Sequence, residues 1–343
     1  MSRAAGEARL DVALDAPQTR HISIGMGAYA RELAARLPVV APDLRFAGFP
    51  HDRPFGLDEQ VRLPLAMARA RPRLTHFLSV YAPLAAPRPY LITIHDLIHL
   101  RFPEFFKRSV GLYYATVVRA VCAGAARVIT DDDRTVGDLA RFLGVPPAKT
   151  VVIPLGVDDV YLGDAEPLAA ERPYFLYVGN HKPHKDLATL FAAWESLDPG
   201  LAADLVLTGD DDLEPDARPH RANGSLRFLG SPPAAELARY YRSAAALVHP
   251  ALCEGFGLPL LEALAAGGRA LASDEAVPRV LRPHVDVFAP RDVRALRALL
   301  ERELELPRPR EEAQRVARTL TWDRCARATA QVYRALLAES GRG

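Results

Sequence analysis

The 343-residue sequence predicts an α/β protein made of two doubly wound, parallel-sheet halves. Short apolar runs of three to five residues alternate with helical patterns along the chain, the succession that crossover helices impose on parallel strands. A stretch rich in Pro, Gly and acidic residues, Pro154–Pro173, interrupts that succession once, near the middle. The length also exceeds what one hydrophobic core usually supports.

In the first half, strands are expected at Leu10–Leu14, Leu44–Gly48, Leu74–Phe77, Tyr90–Ile94, Arg127–Thr130 and Thr150–Ile153. In the second, they are expected at Tyr174–Val178, Asp204–Thr208, Leu226–Phe228, Ala246–His249, Arg269–Ala272 and Val285–Phe288. Between them, apolar residues recur at helical spacing in Ala28–Leu37, Ser109–Ala123, Arg134–Leu143, Leu187–Leu197, Ala234–Ser243 and Leu260–Ala266. A last helix, Trp322–Ala338, follows a Thr-Trp junction. The domain boundaries read as 1–157 and 158–320, and two facing Rossmann-like halves would receive ligands at the carboxyl ends of their strands.

Composition restricts the function classes. A net charge of +1 gives no electrostatic footprint for nucleic acid. Cys122, Cys253 and Cys325 are three in number, widely spaced and without a CxxC pair, so reduced thiols are expected rather than disulfides or a zinc site. No signal-peptide pattern opens the chain and no apolar run reaches about 18 residues, which predicts a cytoplasmic protein without a membrane span. Only four of the 43 basic residues are lysine, and two of those, Lys182 and Lys185, stand together.

The densest chemistry lies in HPALCEGFGLPLLEALAAGGRALA, His249 to Ala272. Glu254 precedes a Gly-Phe-Gly turn, Pro259 suits the start of a helix, and Glu262 falls one turn inside it. Helical side chains lean toward the N-terminus, so the segment offers two carboxylates around a set of free backbone N–H groups. A phosphorylated, hydroxyl-rich ligand needs that combination. The plainer alternative, a strand–turn–helix with two surface glutamates, leaves the intervening GFGLP unexplained.

Glu254 and Glu262 stand in the E-x7-E relation, and EGFGLPLLEALAAG resembles the signature of retaining glycosyltransferases of the GT-B fold, family 4 (glycosyl transferases group 1), especially bacterial mannosyltransferases. The resemblance covers roughly Gly25 to Val280. It implies that Glu254 touches hydroxyls of a donor sugar, that Gly255, Phe256, Gly257 and Leu258 line the sugar and diphosphate, and that Glu262 bonds the nucleotide ribose. It also implies that the last helix, 321–343, crosses back to the N-terminal, acceptor-side domain, and that 158–320 binds the nucleotide sugar.

Three other segments fit the same picture. In VGNHKPHKDL, Lys182 and Lys185 beside a helix start capped by Asp186 would face a diphosphate whose charge grows as the sugar–phosphate bond breaks. The resemblance matches Lys185 to a phosphate-gripping lysine, with Asn180 where the family usually has Arg. In GMGAYARELAARL, Gly25 and Gly27 form a turn that lets backbone approach phosphate or acceptor, with Ala28 where the family often carries Arg. In YLITIHDLIHL, His95 and Asp96 emerge at the carboxyl end of a strand. The resemblance places His95 beside the transferred sugar. A catalytic-base role, as in inverting enzymes, and a structural role are the alternatives.

The acidic runs Asp131–Asp133 and Asp210–Asp212 read as a helix cap, where similar proteins often carry Ser, and as a loop continuing to Glu214 and Asp216. Metal binding is the alternative at each; no metal ligands are expected. Phe102, Phe105, Phe106, Lys107, Arg108, Tyr113 and Tyr114, with Arg53, Arg62, Arg69, Arg71 and Arg73, read as core or acceptor-site aromatics with a solvated basic face. An anionic membrane surface at the inner face of the plasma membrane is the other reading, suited to a lipid-linked acceptor.

The sequence thus predicts a retaining glycosyltransferase moving a hexose from a nucleotide-diphosphate sugar, GDP-mannose first, to a hydroxyl of a glycan, lipid-linked or small-molecule acceptor, with no obligatory cofactor. Two alternatives remain: a catalytically silent subunit that binds a partner enzyme, suggested by the departures at Asn180, Ala28 and Ser273–Pro290, and a hydrolysing nucleotide-sugar 2-epimerase, which shares the GT-B architecture.

Overall fold

The computed structural model describes residues 9–17, 24–51, 56–163, 166–214, 218–219, 224–305 and 311–340; Arg53, Asp216 and part of the linker (164–165) lie outside the described residues. The chain forms two compact units, Val157–Thr321 and Met1–Gly156 together with Trp322–Gly343.

The first unit carries a six-stranded sheet in the order β2-β1-β3-β4-β5-β6, with every pairing parallel. Its strands are β1 (Val12–Pro17), β2 (Phe46–His51), β3 (Leu74–Phe77), β4 (Tyr90–Thr93), β5 (Arg127–Thr130) and β6 (Thr150–Val152). LTHF and YLIT are buried throughout, as central strands covered on both faces must be. β1 begins and ends later than its apolar run because Asp15, fully buried, continues it. β2 runs on through Pro50 at the sheet edge, where a missing N–H costs no ladder bond.

Helix α1 (Ile24–Val40) follows β1. It starts four residues before the expected Ala28, so Gly25 and Gly27 are not a separate glycine turn but part of the first helical turn. A wider turn, Asp58–Arg62, leads into α2 (Leu63–Ala70), whose Ala-rich sequence gives little apolar contrast and was missed by periodicity. Later come α3 (Arg108–Tyr113), continued through Tyr114–Val118 to Gly124, and α4 (Asp133–Asp138), continued to Leu143.

The second unit has the parallel order β12-β11-β10-β7-β8-β9. These strands are β7 (Tyr174–Tyr177), β8 (Asp204–Leu207), β9 (Leu226–Phe228), β10 (Ala246–His249), β11 (Ala270–Ser273) and β12 (Asp286–Phe288). Helices α5 (Leu187–Glu195), α6 (Ala234–Ser243), α7 (Leu258–Ala265), α8 (Val293–Glu305) and α9 (Glu311–Ala317) complete it. Trp194 is fully buried among Phe175, Leu190 and Leu205, and its indole N–H reaches the Ala203 carbonyl at 2.8 Å. The strand order reverses between β7 and β10, the position at which doubly wound sheets open a crevice for ligands.

The last helix, α10 (Trp322–Ser340), belongs to the first unit. It packs on α1, joined by an Arg36–Asp323 ion pair at 2.6 Å, and its buried Tyr333 bonds His76 of β3 at 2.6 Å.

Candidate functional site

Both halves of the main candidate site emerge at the reversal of the second sheet. After β7 the chain passes Gly179 and a short turn, Pro183–Lys185; after β10 it passes Glu254 into α7. A backbone bond from Leu252 N–H to the His184 carbonyl, 2.9 Å, ties the two loops together. Across that tie, the Lys185 ammonium donates to Glu254 Oε1. The same oxygen accepts from His249 Nε2 at 3.1 Å.

Both ends of the Lys185–Glu254 pair are nearly enclosed, at 12% and 14% side-chain exposure, so solvent screens it little. Burial alone would push the Glu254 carboxyl up. The Lys185 charge and the His249 hydrogen bond overrule it and hold Glu254 well below the usual carboxylate range. Glu254 is therefore a fixed anion. His249, at the last position of β10, is the residue sequence reasoning missed; a histidine ending an otherwise apolar strand was its signal.

Gly257 caps α7 with φ +74°, and a Cβ there would lie 3.2 Å from the Ala276 carbonyl, which explains glycine at that point of the motif. Gly255 and Phe256 are buried, Leu258 is half-buried, and Pro259 stands second in the helix rather than first. Glu262 accepts a hydrogen bond from the Tyr241 hydroxyl at 2.8 Å. Burial, with Asp158 nearby, pushes its pKa up to about 7 against the opposing Tyr241 bond. Tyr241 and Tyr161, ring centroids 5.8 Å apart, complete its surroundings. Their phenols, like that of Tyr177, are raised first by burial, and neither Tyr161 nor Tyr241 was apparent in the sequence.

Asn180 and Lys182 are exposed, and the Asn180 side chain accepts the Lys182 backbone N–H at 3.3 Å. The Tyr177 hydroxyl holds the Asn180 carbonyl at 2.5 Å. Asp186 stands at the N-cap position of α5 but in the left-handed region, φ +52°, and its carboxylate receives the Thr189 hydroxyl at 2.7 Å. Of the acidic runs, Asp212 pairs with His181 at 2.5 Å and Asp211 with Arg218. Among the described residues no cluster of three His, Cys, Asp or Glu side chains suits a metal ion.

Gly25, Gly27 and His95 belong to the first unit. His95 follows β4, and Asp131 follows β5, one strand over. The register pairs Leu91 with Arg127, and four residues further along each strand the side chains of His95 and Asp131 meet at 2.6 Å. Asp132, not Asp131, caps α4, accepting the Arg134 N–H at 3.1 Å. All three cysteines are buried, and none is in a disulfide.

The aromatics at 102–114 pack inward or on one another: Phe102 on Phe105, Phe106 on His99 and Tyr114 in the core. The large apolar side chains that do face solvent include Leu57, Val61 and Leu65 along the α2 segment, with Leu84 and Leu112. Leu84 is bonded through its backbone to Gln60 at 3.1 Å, and Tyr113, next to Leu112, reaches Glu59 at 3.0 Å. Arg62, Arg69, Arg71, Lys107 and Arg108 are exposed on the same segments.

Comparison with known proteins gives two family models that between them take up most of the chain. Residues 22–161 match Glycosyltransferase Family 4, and residues 164–319 match Glycosyl transferases group 1. O-antigen chain mannosyltransferase B of Escherichia coli is 27% identical over 267 residues, covering 71% of this chain and 70% of that protein. A glycogen synthase of Mycobacterium tuberculosis is 29% identical over 329 residues, covering 83% and 78%. Among solved structures, sucrose-phosphate synthase from Thermosynechococcus elongatus superposes with a TM-score of 0.72 at 21% identity, covering 96% of this chain and all of that one. Anabaena HepE in complex with UDP and glucose superposes with a TM-score of 0.71 at 16% identity, covering 95% and 100%.

Proposed function

From a chain that belongs to the family 4, group 1 glycosyltransferases and has their GT-B fold, we propose a retaining hexosyltransferase that uses GDP-mannose and acts on a glycan or lipid-linked glycan hydroxyl. The observation that carries the reading is the Lys185–Glu254 pair at the reversal of the second sheet, with the α7 N-terminus beside it and Glu262 one turn on. Glu254, held anionic, accepts hydrogen bonds from sugar hydroxyls. The α7 N-terminus and Lys185 take the diphosphate, with exposed Lys182 able to follow it. Gly255, Phe256, Gly257 and Leu258 shape the sugar side, and Glu262 meets the ribose.

In the reaction the bond between the anomeric carbon and the diphosphate oxygen breaks, and the acceptor oxygen bonds to that carbon on the same face. The acceptor's proton passes to the departing diphosphate. Lys185 stabilises the charge as it grows there, a contribution of the kind worth about 10² to 10³ in rate. Gly25 and Gly27, in the first turn of α1, leave backbone N–H groups accessible to the acceptor side. His95 contacts the transferred glycosyl group.

Mannose as the sugar is supported by the names of several relatives: the Escherichia coli protein above, RfbU of Salmonella typhimurium and a phosphatidyl-myo-inositol mannosyltransferase of Mycolicibacterium smegmatis. A lipid-linked acceptor at a cytoplasmic membrane face is supported by the exposed apolar residues Leu57, Val61 and Leu65 with Arg62 and Arg69 between and beside them, complementary to an anionic bilayer. No helix among the described residues is long and apolar enough to cross a membrane.

The test is thermal stabilisation of wild type and Glu262→Ala by GDP-, UDP- and dTDP-sugars and their nucleotides, with and without magnesium. Stabilisation by GDP-mannose that Glu262→Ala abolishes is the expected result. A folded wild type that no nucleotide sugar stabilises would overturn the donor assignment in favour of a silent, partner-binding subunit.

A further inference from the structure

His95 is fixed from three directions. Its Nδ1 meets Asp131 Oδ2 at 2.6 Å, and the Asp131 side chain is 1% exposed. Its ring receives the edge of Tyr29 at 4.7 Å between centroids and 85° between planes. Its backbone carbonyl lies 3.4 Å from the Thr135 hydroxyl. Tyr29 is itself anchored, since its hydroxyl shares a 3.0 Å bond with Thr93, which bonds His76 at 2.9 Å, which bonds Tyr333 of α10 at 2.6 Å. The ring has a further partner in the Leu78 backbone carbonyl, while Asp131 Oδ1 is buried without a hydrogen-bond partner.

A carboxylate can only accept, so the bond at Nδ1 requires hydrogen on that nitrogen. The neutral ring is then the Nδ1–H form with its lone pair at Nε2, and the charged ring presents an Nε2–H donor at the same place. The ring stands at a strand's carboxyl end, where doubly wound sheets receive ligands.

We propose that Asp131 is the positioning residue of this site: through its bond to Nδ1 it fixes the tautomer and orientation in which the His95 ring meets the transferred glycosyl group. The inference rests on the glycosyl-transfer reading given above for His95. Burial disfavours charge on His95, and Asp131, helped by Asp96 and the Leu78 carbonyl, reverses that and holds the ring's pKa above its ordinary value, while burial raises the Asp131 carboxyl as well. The ionisable groups around the pair are Asp131, Asp96 and Asp132 at the strand ends, His76 of β3, Tyr29 of α1 and Cys325 of α10. His76 is not the proton carrier, because burial lowers its pKa to about 3.

The test uses full-length wild type, Asp131→Asn, Asp131→Ser and His95→Ala, each checked for folding by thermal melting. In protein labelled with 15N histidine, the His95 side-chain signals of wild type are expected to report the Nδ1–H form when neutral. Their titration midpoint is expected to fall by about one pH unit or more in both Asp131 variants, with the two tautomers mixed. Turnover of GDP-mannose is expected to lose about tenfold or more in kcat with KM within about threefold, and its alkaline limb to move to lower pH. Unchanged midpoint, tautomer and kcat in folded Asp131→Asn would overturn the inference. Full turnover by His95→Ala would instead remove the His95 reading beneath it, while the NMR result still decides the role of Asp131 toward the ring.

Discussion

Glu254 and Glu262 come from one motif, eight positions apart, on either side of one glycine-capped helix start, and the structure gives them opposite characters. Burial pushes both carboxyls up. Glu254 has a lysine and a histidine on one oxygen, and ends as a fixed anion. Glu262 has one neutral hydroxyl and the negative Asp158 nearby, and ends at about 7. The spacing of a motif sets where its carboxylates stand; the neighbours set which protonation state they work in. On the reading proposed above, a permanent anion suits neutral sugar hydroxyls, and a carboxyl near neutrality can both give and accept with a ribose diol.

The sharpest way to break this contrast is Lys185→Ala, which leaves the Glu254 charge nearly buried with His249 alone. Removing one partner of such a pair costs about 3–5 kcal/mol, so urea denaturation near pH 7 should show a loss of that size. A loss under about 1 kcal/mol would mean that His249 and solvent suffice to hold the charge.

Next in size is the pH dependence contributed by Glu262. Its folded pKa is raised, so its contribution to stability is fully present below about 4.5 and is lost as pH rises to about 7. Glu262→Gln cannot ionise and should gain on wild type across that window, by up to about 3 kcal/mol at pH 8 relative to pH 4. Parallel stability–pH curves for the two proteins would show that Glu262 titrates normally.

His249→Ala should cost about 1–2 kcal/mol through the lost bond to Glu254, read in the same denaturation experiment, and raise the pH at which Glu254 protonates. The smallest expected effect is that of Tyr241→Phe. Loss of its 2.8 Å bond to Glu262 should weaken nucleotide stabilisation by about 1 kcal/mol and move the Glu262 midpoint further up. A downward move would mean that Tyr241 acts on Glu262 through burial rather than through its hydroxyl.

The strands were legible because a parallel sheet buries both faces of runs such as YLIT, YFLY and ALVH, leaving continuous apolar segments that punctuation delimits. Their ends were less so: Asp15 continues β1 although a carboxylate interrupts the apolar pattern. Helix α2 was hidden by alanines and arginines, and α1 by glycines that read as a turn yet occupy helical positions. In the site, Glu254, Lys185 and Glu262 could be picked out because their local motif is dense. The partners that set their charge could not, since His249, Tyr241 and Asp158 reach them only through folding. Asp131 is the clearest instance: its neighbours in sequence suggested a helix cap, which Asp132 provides, while sheet register delivers Asp131 to a histidine 36 positions away.

The second unit is threaded into the first as an insertion, and its two ends, Val157 and Thr321, lie side by side in a parallel bridge reinforced by a 2.9 Å bond from Val157 N–H to the Leu320 carbonyl. An insertion whose ends already touch is a removable cassette. Exchanging residues 157–321 for the corresponding piece of a relative would not stretch the chain at the joins, and on the donor assignment proposed above such an exchange should carry donor choice with it.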